Sequence, residues 1–393
     1  MYQNEKRFIP LYVARFSISL GITVLLNFIA VYADLFEASG FWIGMFTTSY
    51  TTVQLVTLIP IGWFSDRFNK KSILLGGLIV LAFSYLGFIF VGGVISLTLA
   101  RVIQGVGLAA AGTTCLAITG ELAPKKDRGK IIGTSNAWRL LSSALGSIAG
   151  GWMFQRWGFT PPYLVLAGMT LLAALLTYLF VEEDETKITE FALKVHITNK
   201  RIQSISWFRS FYAFSVMMVR TYLPVFARLA LSLSATQIGI ILAAEKVANM
   251  FLQRYSGKFS DRIGRFTMLF IGGGAYAVGA IFIPFQSGFW GLLLINGFMG
   301  VADSFREPAS MALFADEGRK SGIASSISLR SLIWQPGAIL APLLAGGIMD
   351  WQGFGPIFWL ASAITVIGLG LMGLFMTRYR EQVFNSGKGG FFG

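Results

Sequence analysis

Twelve apolar stretches, most of them long enough to cross a bilayer, follow one another along this chain. They lie at 8–34, 42–63, 72–92, 95–121, 131–155, 162–181, 206–228, 237–257, 267–285, 289–315, 323–350 and 357–378. A spanning helix needs roughly 20 mostly apolar residues. A transmembrane barrel would instead show short alternating segments, and these runs are long and studded with Gly. The fold class that follows is an all-α, polytopic membrane protein of twelve transmembrane helices. Only 13% of the 393 residues are charged, against about 25% in a soluble domain, which excludes an ordinary cytosolic protein.

The basic residues orient the spans. With both termini cytoplasmic, the inner segments hold 21 Lys and Arg and the outer connections hold one, Arg156. That asymmetry is the positive-inside pattern expected of a multi-pass cell-membrane protein, and it accounts for the net charge of +13 without a nucleic-acid partner. Cys115 is the single cysteine and His196, in a polar connector, the single histidine. No intrachain disulfide can form, a metal site built on several Cys or His is excluded, and an intramembrane proton relay must use carboxylates. No cofactor is expected. Lys6 and Arg7 precede an apolar run too long for a leader's h-region, so no cleaved leader is expected.

The chain repeats itself at an offset of about 195 residues. Gly62-Trp-Phe-Ser-Asp66-Arg67-Phe-Asn-Lys70 returns as Gly257-Lys-Phe-Ser-Asp261-Arg262-Ile-Gly-Arg265. Ile43-Gly44 returns as Ile238-Gly239, Glu121 as Asp316, and Gly150-Gly151 as Gly346-Gly347 with one inserted residue. The expected organisation is two six-helix bundles, 1–181 and 206–380, joined by a cytoplasmic linker at 182–205 that holds a short amphipathic helix around 188–196, with a tail at 381–393.

On these residues the sequence resembles the major facilitator superfamily over essentially its whole length. Gly62–Lys71 matches the family's signature between the second and third helices. Leu97 to Ala109, centred on Arg101-Val-Ile-Gln104-Gly105-Val-Gly107, resembles the fourth-helix motif of proton-coupled members. The fifth helix resembles the signature of drug:proton antiporters at Gly133, Gly146, Gly150 and Gly151, and departs from it at Ser142 and Ser147, where Gly and Pro are usual. The resemblance implies two six-helix repeats around a central site. It also implies a cytoplasmic latch, closed in the outward-open state, made of Gly62, Asp66, Arg67, Glu121, Gly257, Asp261, Arg262 and Asp316. Gly62 and Gly257 permit close helix approach, the aspartates meet helix N-termini, and Arg67 and Arg262 can reach Glu121 and Asp316.

Ionisable residues inside the membrane are candidates for function, because each is costly unless it faces a cavity or a partner. Glu245, Asp303 and Glu307 are the acids, and with Arg101 they form the proton-coupling candidates. Asp303, Arg306 and Glu307 share one face of the tenth helix at i, i+3 and i+4, directly before Pro308, so charge cluster and kink coincide. A structural ion-pair network with Lys246 or Arg330 is the competing reading. Arg101, Arg139, Arg220, Lys246, Arg306 and Arg330 outnumber the three acids, which brings an anionic or zwitterionic substrate into consideration. Arg15, Arg209, Arg228 and Arg254 lie near helix ends and are expected to snorkel. The remaining cavity candidates are Asn27, Tyr32, Asp34, Tyr50, Gln54, Trp138 and Trp334.

No nucleotide motif, metal cluster or Ser/His pair supports an enzyme, and no Gly-x4-Gly-Lys motif supports direct ATP use. The expected function is secondary active transport by alternating access, with proton-coupled efflux of a small amphipathic organic compound first and coupled transport of an organic or lipid-like anion, or uncoupled facilitation, as alternatives. The expected partners are a small-molecule substrate, protons and membrane lipid, and the expected state is a monomer.

Overall fold

The computed structural model describes residues 7–28, 35–67, 69–124, 127–181, 200–321 and 323–385. Twelve long helices occupy them: α1 (Ile9–Asn27), α2 (Gly40–Arg67), α3 (Lys70–Gly87), α4 (Val94–Leu122), α5 (Arg128–Trp157), α6 (Thr160–Phe180), α7 (Lys200–Leu229), α8 (Ala235–Ile263), α9 (Arg265–Phe282), α10 (Phe289–Ser321), α11 (Ile323–Gln352) and α12 (Gly355–Asn385). Short 3-10 turns extend α3 and α9 at Phe88–Phe90 and Ile283–Phe285. Eight of the twelve are long and apolar enough to cross a membrane by length and composition. Of the other four, α5, α7 and α10 carry many of the polar and charged side chains described below.

Local chemistry sets the boundaries. Pro10 and Pro161 stand in the first turns of α1 and α6, where the missing N–H costs nothing. Asn69 caps α3 by accepting from the amide of Lys71 at 2.8 Å. Ser234 and Gln237 form a reciprocal capping box at the start of α8, which satisfies two otherwise orphan donors. Gly158 and Gly264 end α5 and α8 with φ of 76° and 101°, a region L side chains rarely enter.

The repeat is visible as packing. In the first half, α4 lies against α2 and α3, α6 against α3, and α1 against α5 and α6. In the second, α10 lies against α8 and α9, α12 against α9, and α7 against α11 and α12. Each half has its own apolar core, one around Leu74, Leu78, Leu81 and Tyr163, the other around Tyr212, Tyr222, Leu269 and Phe358. The halves meet along α2 against α11 and α5 against α8.

Two boundaries differ from the sequence reading. The regular helix α1 stops at Asn27 rather than continuing to 34, and Tyr32 and Asp34 lie outside the described residues. Helix α7 begins at Lys200 rather than 206, because hydropathy passes over the Lys, Arg and Gln of its first turn. Residues 182–199, with the expected helix at 188–196 and His196, also lie outside the described residues.

A packing prediction follows from neighbouring glycines on α3. A Cβ on Gly77 would sit 2.5 Å from the amide nitrogen of Ala111 on α4, whereas one on Gly76 would meet nothing within 4 Å. Overpacking of this kind costs roughly 1–3 kcal/mol. Thermal unfolding in detergent should show a lower Tm for Gly77→Val and an unchanged or higher one for Gly76→Ala.

Candidate functional site

At one end of the molecule the two halves touch backbone to backbone. A side chain on Gly44 would collide with the carbonyl of Pro342, one on Gly346 with that of Gly40, one on Gly239 with that of Ser147, and one on Gly151 with that of Ala235. These contacts obey the repeat: the offset of 195 that relates Gly44 to Gly239 also relates Ser147 to Pro342 and Gly151 to Gly346. The equivalent of Gly346 is thus Gly151, with no inserted residue. Two trans caps accompany the contacts. Asp350, at the end of α11, accepts from the amides of Gly40 at 2.5 Å and Phe41 at 2.9 Å at the start of α2. Gln155, at the end of α5, accepts from Thr236 at the start of α8 at 3.2 Å. Thr48 donates to Ile339 at 2.7 Å, and the Tyr222 hydroxyl lies 2.9 Å from the carbonyl of Gly40 and 2.8 Å from that of Pro342. These hydrogen bonds between the halves lie at one end, away from the basic connections.

The second half carries the buried charges. Arg306 donates to Asp303 at 2.6 and 2.9 Å and to Glu307 at 2.9 Å, with its guanidinium 4.0 Å from the ring centre of Tyr212. Asp303 also accepts from Tyr212 at 3.0 Å and Asn249 at 3.3 Å. Glu307 pairs across to Arg330 of α11. A second cluster forms on α7 and α8, where Glu245 receives Lys246 at 2.6 Å and Arg220 at 3.0 Å. The side chains of Asp303 and Glu245 are 10% and 9% exposed but that of Glu307 is 33% exposed, making it the acid most open to water.

The first half is built from neutral groups. Ser19 and Thr23 of α1 bond Ser143 of α5 at 3.0 Å each, and Asn27 donates to Ser147 at 2.6 Å. Asn27 therefore ties α1 to α5. Arg101 does not join the acids. It is 2% exposed, donates to Gln104 and to the carbonyl of Leu25, both at 2.9 Å, and lies over the ring of Tyr50 at 5.4 Å. A cation at the last turn of α1 complements the carbonyl end of that helix. Gln54 is half-buried on α2. Arg139 donates to Asn136 at 2.8 Å and lies within electrostatic reach of Arg15 and, across the interface, of Arg220, Asp303 and Glu307.

Two sequence assignments change. Arg209 does not snorkel: the earlier start of α7 puts it nine residues, roughly 13 Å, into the helix, where it is 7% exposed, donates to the carbonyl of Arg330 at 2.7 Å and stacks over Trp334 at 5.0 Å. Trp334 thus belongs to the charged site. Trp138 does not, because it packs edge-on against Phe16 on the apolar face of α5 that carries Leu145. Arg15 is half-buried, with its Nε enclosed and without an acceptor. Among residues that the sequence reading passed over, Asp350 and Gln155 had a signal, since the repeat offset relates them. Tyr212 and Asn249 had none.

At the basic end, Glu121 is held by Lys70 at 2.8 Å and Asp316 by Arg265. The last cation of each motif copy makes these pairs, three residues beyond Arg67 and Arg262, because it opens α3 or α9 beside the end of α4 or α10. Arg262 is exposed. The side chains of Asp66, Arg67 and Asp261, and Gly62 and Gly257, lie outside the described part of the structure.

A family model described as Major Facilitator Superfamily matches residues 11–229 and 205–391. An uncharacterised transporter of that type from Methanocaldococcus jannaschii is 24% identical over 382 residues, covering 91% of this chain and 96% of its own. Multidrug resistance protein 2 of Bacillus subtilis is 23% identical over 384 residues, with 94% and 95% covered. Among solved structures, a bacterial homologue of the human lysosomal transporter Spinster, inward-facing and occupied, superposes with a TM-score of 0.77 at 16% identity, covering 94% of this chain and 96% of that one.

The trans cap yields a prediction. Losing a charge-assisted hydrogen bond costs roughly 1.5–3 kcal/mol, so Asp350→Ala should populate the separated end about tenfold more. In a Cys115→Ser background, a cysteine at Thr48 should react with a water-soluble maleimide correspondingly faster, with Asp350→Asn intermediate. An unchanged rate would show that the carboxylate holds nothing.

Proposed function

We propose that this chain, which belongs to the Major Facilitator Superfamily and is a multi-pass membrane transporter rather than an enzyme, exports small amphipathic organic compounds in exchange for protons. All twelve helices span the membrane in this reading, with both termini and the basic end cytoplasmic. The glycine-paired end is then extracellular and shut. Transport proceeds as the halves rock about the central charges.

The observation that carries the reading is Glu307. It is the water-accessible acid of the buried network and stands directly before Pro308 on α10, joined to Arg306 on its own helix and to Arg330 on α11. Protonation removes both attractions at once, so α10 and α11 are held together by a bond that a proton can break. Asp303 is enclosed by Tyr212, Asn249 and Arg306, and Glu245 by two cations, which suits both to positioning. The multidrug resistance relative supports export and a small organic cargo. An organic anion is the second reading, favoured by the arginines that no carboxylate offsets.

Internal pH in proteoliposomes with an imposed proton gradient tests the coupling. A panel of amphipathic cations, neutral compounds and anions should contain a member that discharges the gradient through the wild type. Glu307→Gln should reduce that discharge to liposome background while labelled compound still crosses downhill. Crossing that never moves protons in the wild type would make the protein an uncoupled facilitator.

A further inference from the structure

We infer that Arg209 and Arg330 of the second half, with Arg139 of the first, form a built site for an oxyanion carried on an apolar, preferably aromatic, body. The inference rests on the second cargo reading above and deepens it.

Three observations converge on this site. Arg209 and Arg330 are each 7% exposed, yet Nη1 of the first and Nε of the second are enclosed and bond to nothing. Buried guanidinium donors without acceptors are costly and rare. Next, the charges do not balance. Glu307 is shared between Arg306 and Arg330, while Arg209 and Arg139 form no ion pair among the described residues and satisfy only Nε, on a carbonyl and an amide oxygen. Finally, the Trp334 ring, with its centre 5.0 Å from the Arg209 guanidinium, supplies an apolar wall. An oxyanion brings acceptors only, matches the planar fork of arginine and removes the excess charge. An organic cation would meet three guanidinium groups.

The arrangement also sets the sign of coupling. Glu307 faces Arg306 on α10 and Arg330 on α11, with Arg209 on α7 and, across the interface, Arg139 on α5 within electrostatic reach; Asp303 and Tyr212 adjoin Arg306. An ionised Glu307 competes with the oxyanion for these arginines, and a protonated one releases Arg330. Proton and oxyanion therefore strengthen each other's binding, and such a cargo travels with the proton rather than against it. Because Arg139 reaches the Glu307 region from the other half, an oxyanion that also engages it draws the two halves together.

Calorimetric titration of the full-length protein in phosphatidylcholine nanodiscs tests this without any proton gradient. The probes are 2-naphthalenesulfonate, 2-naphthyltrimethylammonium and 2-naphthalenemethanol, which share a ring and differ in charge. The sulfonate should bind at least about tenfold more tightly than the other two. Arg209→Gln and Arg139→Gln should each lower its affinity about tenfold and leave the alcohol unchanged, and Arg209→Lys should restore part of the loss. Glu307→Gln, which frees Arg330, should bind the sulfonate more tightly than the wild type, a readout that survives if an arginine variant fails to fold. Equal affinity for the three probes, tighter binding of the ammonium, or weaker sulfonate binding by Glu307→Gln would overturn the site. Abolition of sulfonate binding by phosphatidylglycerol in the disc would assign the arginines to a lipid headgroup and overturn it as a cargo site. Failure here leaves proton-coupled export of another cargo standing, and failure of the liposome assay leaves this binding result standing.

Discussion

The direct contact of helix backbones at one end of the bundle governs how the remainder can work. Lipid tails are as apolar as side chains, so helices in a membrane gain little from hydrophobic burial against each other and associate through close van der Waals packing. Gly44, Gly151, Gly239 and Gly346 permit that approach at four places related by the repeat. The carbonyls they meet, at Pro342 and Ser147 within α11 and α5 and at Gly40 and Ala235 in the first turns of α2 and α8, are helical, so parting the halves exposes few unsatisfied polar groups. Only Asp350 and Gln155 make trans caps that must be given up. A seam of this kind is tight when shut and inexpensive to open, which alternating access requires.

The scaffold is symmetric but the chemistry is not. Where α1 and α5 are joined by serine, threonine and asparagine side chains, α7, α10 and α11 are joined by arginines and carboxylates. Neutral hydroxyls need no counter-ion and do not titrate in the physiological range. Charged pairs respond to protons and to charged ligands. Among the described residues this cluster of buried carboxylates and arginines lies in the second half, and the first half supplies Arg139 within electrostatic reach of it.

The sequence made the spans, the repeat and the acids legible, because apolar length, a fixed offset and intramembrane charge are all one-dimensional signals. It could not place side chains whose depth depends on where a helix begins. Arg209 looked like a terminal residue until α7 proved to start in a polar turn at Lys200. Trp138 and Arg139 are adjacent in sequence, and a rotation of about 100° per residue puts one on the apolar face and the other toward the charges. The ion pair of Glu121 with Lys70 depends on the geometry of a helix start. Each of these misassignments is one of helix register, and none is one of residue type.

Helix α11 connects the two regions. Arg330 near its basic end holds Glu307 and Arg209, while Pro342 and Asp350 at its other end form the seam with α2. Twenty residues separate Arg330 from Asp350, about 30 Å of helix. A rigid element in contact with both regions can transmit a change at one to the other. Pro336 and Pro342 lie between them and remove two backbone hydrogen bonds from the helix, so it can bend there without breaking further bonds. On the proposed coupling, releasing Arg330, by protonating Glu307 or by giving the guanidinium a new anion, frees the lower arm of α11 to move against the upper arm that Asp350 holds in the seam. In that coupling, α11 links the charge site to the closed end, with Pro336 standing between Arg330 and the seam.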